Sequence, residues 1–79
     1  MSQIIWSNQM DGKYDCKVVR KEPYKGSLEI WEGKELLMEK DVVLSYDAKF
    51  GPDMGDVVDW EVECMDFVDG RVKDAKPNP

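Results

Sequence analysis

Seven carboxylates crowd into one stretch of this chain, DMGDVVDWEVECMDFVDG, at Asp53, Asp56, Asp59, Glu61, Glu63, Asp66 and Asp69, and no Lys or Arg lies among them. Carboxylates so placed could act as a paired acid and base, ligate a hard cation, or present negative charge to a partner. Acid–base work needs one carboxyl whose pKa is raised by burial or by a like charge, and a solvated helix face raises none. Cation ligation of the EF-hand kind needs alternating D-x-D-x-D-G spacing, whereas the 3-residue steps from Asp53 to Asp59 point their side chains to different sides of a helix. Charge presentation is left.

The rest of the composition narrows the chemistry further. The chain has no histidine, so the commonest general base and metal ligand is missing, and Ser or Cys nucleophiles that depend on one lack a partner. Its glycines do not follow G-x-G-x-x-G or Walker spacing, so no phosphate-cradling loop is expected. Cys16 and Cys64 are too few for a disulfide framework, and neither has a neighbouring basic cluster to lower its pKa. Both are expected to be small buried side chains of a reduced, cytoplasmic protein. The sequence therefore reads as a non-enzyme without cofactor or metal.

On a helix, Asp56, Asp59, Glu63 and Asp66 fall in one line because they step by 3, 4 and 3 residues. Val57, Cys64 and Val68, flanked by Met54, Val58 and Met65, are expected opposite, docked on a sheet, with Trp60 and Phe67 on the border of the acidic line. Asp53 can cap the first turn with Asp56 at N3, and Gly70 suits a left-handed residue beyond the last turn. The spacing predicts a helix over residues 54–69. The competing strand reading rests on strict alternation from Val58 to Cys64, which fails at Met65 to Val68.

Four strands are expected upstream. Ser2 to Met10 and Lys13 to Lys21 are rich in Ile, Val, Trp and Tyr and flank Asp11-Gly12, a two-residue hairpin signal. That turn would set Ile5 across from Val18 and place Trp6 with Ile4 and Val19 on the opposite face. Glu22-Pro23-Tyr24-Lys25-Gly26 breaks the pattern, Ser27 to Glu32 resumes it, and Gly33-Lys34 turns the chain into a long strand from Glu35 to Asp47. In that strand Leu36, Met38, Val42, Leu44 and Tyr46 would share a face, and Ala48 to Pro52 would cross from sheet to helix. The fold class expected is α+β, a four-stranded antiparallel meander with one C-terminal helix packed on a face, with a small all-β barrel as the alternative. Residues 1–70 form the single domain, and 71–79 read as a flexible polar tail.

The 79 residues carry a formal charge of −6, placed unevenly: residues 1–40 hold seven basic and seven acidic side chains, residues 41–79 four and ten. Such a balance disfavours direct binding to nucleic acid or anionic lipid, which needs clustered Lys and Arg. No run is apolar enough for a membrane span, and the first residues lack a basic leader. A solvated face chosen for solubility alone would intersperse lysines. Like charges three and four residues apart instead cost about 0.2–0.5 kcal/mol per pair, a cost that a basic partner would relieve.

The function expected is thus a protein-binding module whose acidic helix occupies the Lys/Arg surface of a nucleic-acid-binding protein or complex. In size and charge it is analogous to small acidic inhibitors from phages and mobile elements, including some anti-CRISPR proteins. Asp56, Asp59, Glu63 and Asp66 would supply charge, with Trp60 and Phe67 as aromatic anchors. The alternative is a homodimerising domain joined through Trp6 or Trp31 exposed on its sheet.

Overall fold

The computed structural model describes residues 3–45 and 53–75, with the side chains of residues 74 and 75 left aside. Four strands, β1 (Gln3–Met10), β2 (Tyr14–Glu22), β3 (Lys25–Glu32) and β4 (Glu35–Val43), precede one helix, α1 (Met54–Ala75). The strands pair antiparallel in chain order β1-β2-β3-β4, an open meander not closed into a barrel, and α1 covers one face. The fold is α+β.

The turns form where glycine permits them. Asp11 and Gly12 both take positive φ, 55° and 71°, and the Lys13 amide donates to the Met10 carbonyl at 3.2 Å. Gly33, at φ 62°, closes the β3–β4 hairpin. Pro23-Tyr24 makes a tighter return than the five-residue loop expected, because Glu22 pairs directly with Lys25 and Gly26 lies inside β3. Glycine is required there: a Cβ at position 26 would sit 2.7 Å from the Val19 carbonyl oxygen.

Two register shifts correct the expected faces. Lys13 joins the first turn, so Met10 pairs with Tyr14 and Trp6, not Ile5, pairs with Val18. Ile5 becomes the extra residue of a bulge, and both it and Trp6 pack on the core. In β4 a second bulge at Leu37 lets Met38 pair with Ile30 while Leu36 pairs with Trp31. Leu36 is therefore exposed on the open face, while Leu37, Met38 and Val42 pack inward. β4 ends at Val43; the expected continuation through Tyr46 and Asp47, and the crossing at 48–52, lie outside the described residues.

The core is a single cluster. Tyr14, Cys16, Val18, Leu28, Ile30 and Leu44 meet Trp60, Cys64 and Val68 of α1, and the Trp6 and Trp60 rings stand 5.8 Å apart at 50°. Asp53 caps the helix as expected, its carboxylate accepting from the Gly55 amide at 3.1 Å. The other end differs. Gly70 has no left-handed φ, and the helix runs on to Ala75, because Val72 packs on the core and Arg71 reaches Glu32 at 3.8 Å. A helix-interior glycine costs only about 1 kcal/mol, which such contacts offset.

Adjacent residues of β3 should respond oppositely to the same small side chain. Gly26→Ala forces a clash with Val19 and is expected to lower stability by about 1–3 kcal/mol. Ser27→Ala removes a buried hydroxyl that has no hydrogen-bond partner among the described residues and is expected to raise it by about 1 kcal/mol. Urea midpoints of the two variants against the parent measure both signs.

Candidate functional site

The long helix carries the expected acidic line, but the protein uses the line in two different ways. Asp56 and Glu63 face inward far enough to be tied to the sheet side of the molecule. The Asp56 carboxylate accepts from the Ser45 amide at 2.7 Å and from the Ser45 hydroxyl at 2.6 Å. It does not close the capping arrangement expected of an N3 carboxylate; it pins the first turn of α1 to the end of β4. Glu63 accepts from the Lys40 ammonium of edge strand β4 at 2.6 Å, across a pair still about half exposed. Asp59 and Asp66 remain exposed, and among the described residues neither has an ion-pair partner.

The aromatic residues expected at the border of the line belong to the core side. Trp60 is only 4% exposed, and Phe67 is half-buried against the same cluster. The cause is geometric: Val57, Cys64 and Val68 meet the sheet as expected, but the buried side of α1 widens from them toward Trp60 and Phe67 instead of toward Met54, Val58 and Met65. With the helix turned in this way, three residues expected to dock on the sheet face solvent. Met54, Val58 and Met65 are 73%, 55% and 53% exposed, and Val62 joins them at 51%. The helix read from the sequence leaves Val62 unplaced, since there Val62 enters only the competing strand alternation with Val58 and Trp60.

The solvent side of α1 thus combines apolar and acidic groups. Val58, Val62 and Met65 run along it, Asp59 and Asp66 border them on one side, Glu61 on the other, and Asp69 continues the row. Beside the row an open cavity of about 460 Å³ lies between α1 and β1, lined by apolar Met10, Met65, Val68 and Val72 and polar Asn8, Asp11 and Asp69. Among the described residues no three His, Cys, Asp or Glu side chains converge as a cation site, and no helix is long and apolar enough to cross a membrane.

The thiols are fully buried, Cys16 on the sheet and Cys64 on the helix, in mutual hydrogen-bond contact and not bridged. Burial pushes both above the ordinary thiol value of 9.0; for Cys64 the Cys16 contact and the nearby Glu63 and Glu61 charges add to the effect. This is the opposite of the electropositive, exposed setting of a reactive cysteine. The sheet tryptophans are also occupied. Trp6 packs on Trp60, while half-buried Trp31 lies beneath the Lys17 ammonium at 5.3 Å and donates from Nε1 to Glu29 at 2.8 Å.

Comparison with family models, with characterised proteins and with solved structures finds no match to this chain.

Two outcomes follow from these contacts. A double-mutant cycle on Lys40 and Glu63 is expected to give a coupling of no more than about 1 kcal/mol, as for other half-exposed pairs. The thiols stay protonated in the folded protein after they ionise in the unfolded chain, so the unfolded state binds fewer protons above pH 9. Stability should therefore fall as pH rises past 9, by up to about 1.4 kcal/mol per pH unit for each thiol, and Cys64→Ala should flatten that slope when urea midpoints are compared from pH 7 to 10.5.

Proposed function

We propose that this protein is a small non-enzymatic binding module that sets the acidic solvent side of α1 against a basic surface of a nucleic-acid-binding protein, as a mimic of nucleic acid. One observation carries the reading: Asp59 and Asp66 stand exposed on a helix that has no Lys or Arg from Asp53 to Gly70. Asp69 is exposed and Glu61 half-exposed on the same solvent side. Asp56 and Glu63 contribute charge but are held by Ser45 and Lys40, so Asp59 and Asp66 are the groups a partner meets most freely.

Magnitude sets a limit on mimicry by charge alone. The four acids not held by Ser45 or Lys40, Asp59, Glu61, Asp66 and Asp69, span about ten rises of 1.5 Å, or roughly one charge per 4–5 Å. Duplex DNA presents one per about 1.7 Å. The remaining affinity has to come from apolar contact, which Trp60 does not offer from within the core and which Val58, Val62 and Met65 do. The other reading, a homodimer through Trp6 or Trp31, is less well supported because both indoles are engaged within the chain.

Capture of partners from a host extract tests the proposal, using the parent protein and the Asp59→Lys/Asp66→Lys variant at 50 and 300 mM salt. The partner should be one that binds nucleic acid, should be released by duplex DNA and by the higher salt, and should be lost from the variant while its circular dichroism stays that of the parent. Capture that survives charge reversal would refute the proposal.

A further inference from the structure

The row on α1 that is exposed from Val58 to Asp69, and ends at half-buried Val72 beside the core, has an order that charge presentation alone does not require. Val58, Val62, Met65, Asp69 and Val72 are spaced 4, 3, 4 and 3 residues apart, which is the alternation of a coiled-coil seam. Val58, Met65 and Val72 take the d positions and Val62 and Asp69 the a positions. Trp60, Cys64 and Phe67 fall at f and c, the positions that a seam turns away from its partner, and the sheet covers these together with Val57 at c and Val68 at g. The helix is therefore fixed to its own domain by its back and offers its seam outward.

The flanking positions decide what can lie there. Asp59 and Asp66 occupy e and Glu61 occupies the first g, the second g being Val68 of the core, so an incoming helix meets acid along its whole e side and at the start of its g side. A second copy of this chain fits badly. Parallel pairing would set Asp69 against Asp69 and Glu61 against Asp66, and antiparallel pairing would bring the e-position aspartates together. A basic helix fits: apolar at a and d, Lys or Arg at e and g, and one cation opposite Asp69 to fix the register. From Val58 to Val72 the seam covers 14 rises, about 21 Å. The cavity between α1 and β1, with Met10 on its far wall, lies alongside and has room for a long side chain from such a helix.

We infer that α1 docks one basic amphipathic helix of a partner protein along the seam Val58–Val62–Met65–Asp69–Val72, with Asp59, Asp66 and Glu61 pairing its flanking cations. This rests on the proposed function and specifies the partner's secondary structure and register.

Three fluorescently labelled 18-residue peptides test it against the full chain by anisotropy: one with Leu at a and d and Lys at e and g, one of the same composition with the apolar spacing scrambled, and oligolysine. The seam predicts that the patterned peptide binds at least tenfold more tightly than the scrambled one. Val62→Ser/Met65→Gln should lose that advantage while leaving oligolysine binding unchanged, and Asp59→Lys/Asp66→Lys should weaken all three peptides. Because these side chains are exposed, thermal melts should show every variant folded. Equal binding of patterned and scrambled peptides would overturn the seam and leave the acidic surface standing. Patterned binding indifferent to salt and to charge reversal would overturn both, as would no binding by any peptide. A dimer of the parent chain in sedimentation at micromolar concentration, abolished by Val62→Ser/Met65→Gln, would give the seam to a second copy and overturn the inference alone.

Discussion

Everything in this protein depends on the contact between one helix and one face of a sheet. Four strands in a meander bury nothing by themselves, and a domain of this size has few apolar side chains to spend. Trp60 provides the largest of those contacts. It stands against Trp6 from the edge strand and shares one buried cluster with Val18, Leu28 and Ile30 from the centre of the sheet. Cys64 sits one turn further along, opposite Cys16, where only a small side chain lets helix and sheet approach. Once Trp60 is in place, the rotation of the helix about its axis is settled, and with it the identity of every residue that faces water.

That rotation explains why the electrostatics divide as they do. Turning Trp60 into the core brings Asp56 and Glu63 round toward the sheet, where each meets a group able to hold it: a hydroxyl and amide at Ser45, an ammonium at Lys40. These contacts bind the start and the middle of α1 to β4 and its end, and Arg71 with Glu32 binds its last turns to β3. Individually each is modest, since the groups remain partly solvated. Together they fix the helix along its length, so the acids left over are displayed on a rigid rod.

Much of the architecture was legible in the sequence because its signals are local. Asp11-Gly12 and Gly33 take positive φ and mark hairpins whatever surrounds them, and Asp53 followed by a helical repeat marks a helix start. The register was not legible. A bulge such as Ile5 or Leu37 adds one residue without altering the apolar pattern, yet it moves Trp6 and Leu36 to the opposite faces. The borders of the helix's docking side failed for a related reason: apolar residues occur almost all round α1, so periodicity alone placed Val57, Cys64 and Val68 on the sheet but could not choose whether that face widens toward Trp60 and Phe67 or toward Met54, Val58 and Met65. The deciding factor is size, because an indole has more apolar surface to remove from water than a single valine or methionine at the opposite border and takes the place facing the sheet. Gly70 misled because glycine can stop a helix but does not have to.

The two bulges described above fall on β1 and β4, the strands at the rims of the sheet. An extra residue on a rim strand interrupts the row of free amides and carbonyls that another chain would need for strand addition. Cross-β stacking of one molecule on the next is thereby discouraged at both sides, a protection that matters in a domain whose open sheet has no second layer among the described residues. With strand addition discouraged at both rims, the association proposed above falls to the exposed side of α1 and not to the borders of the sheet.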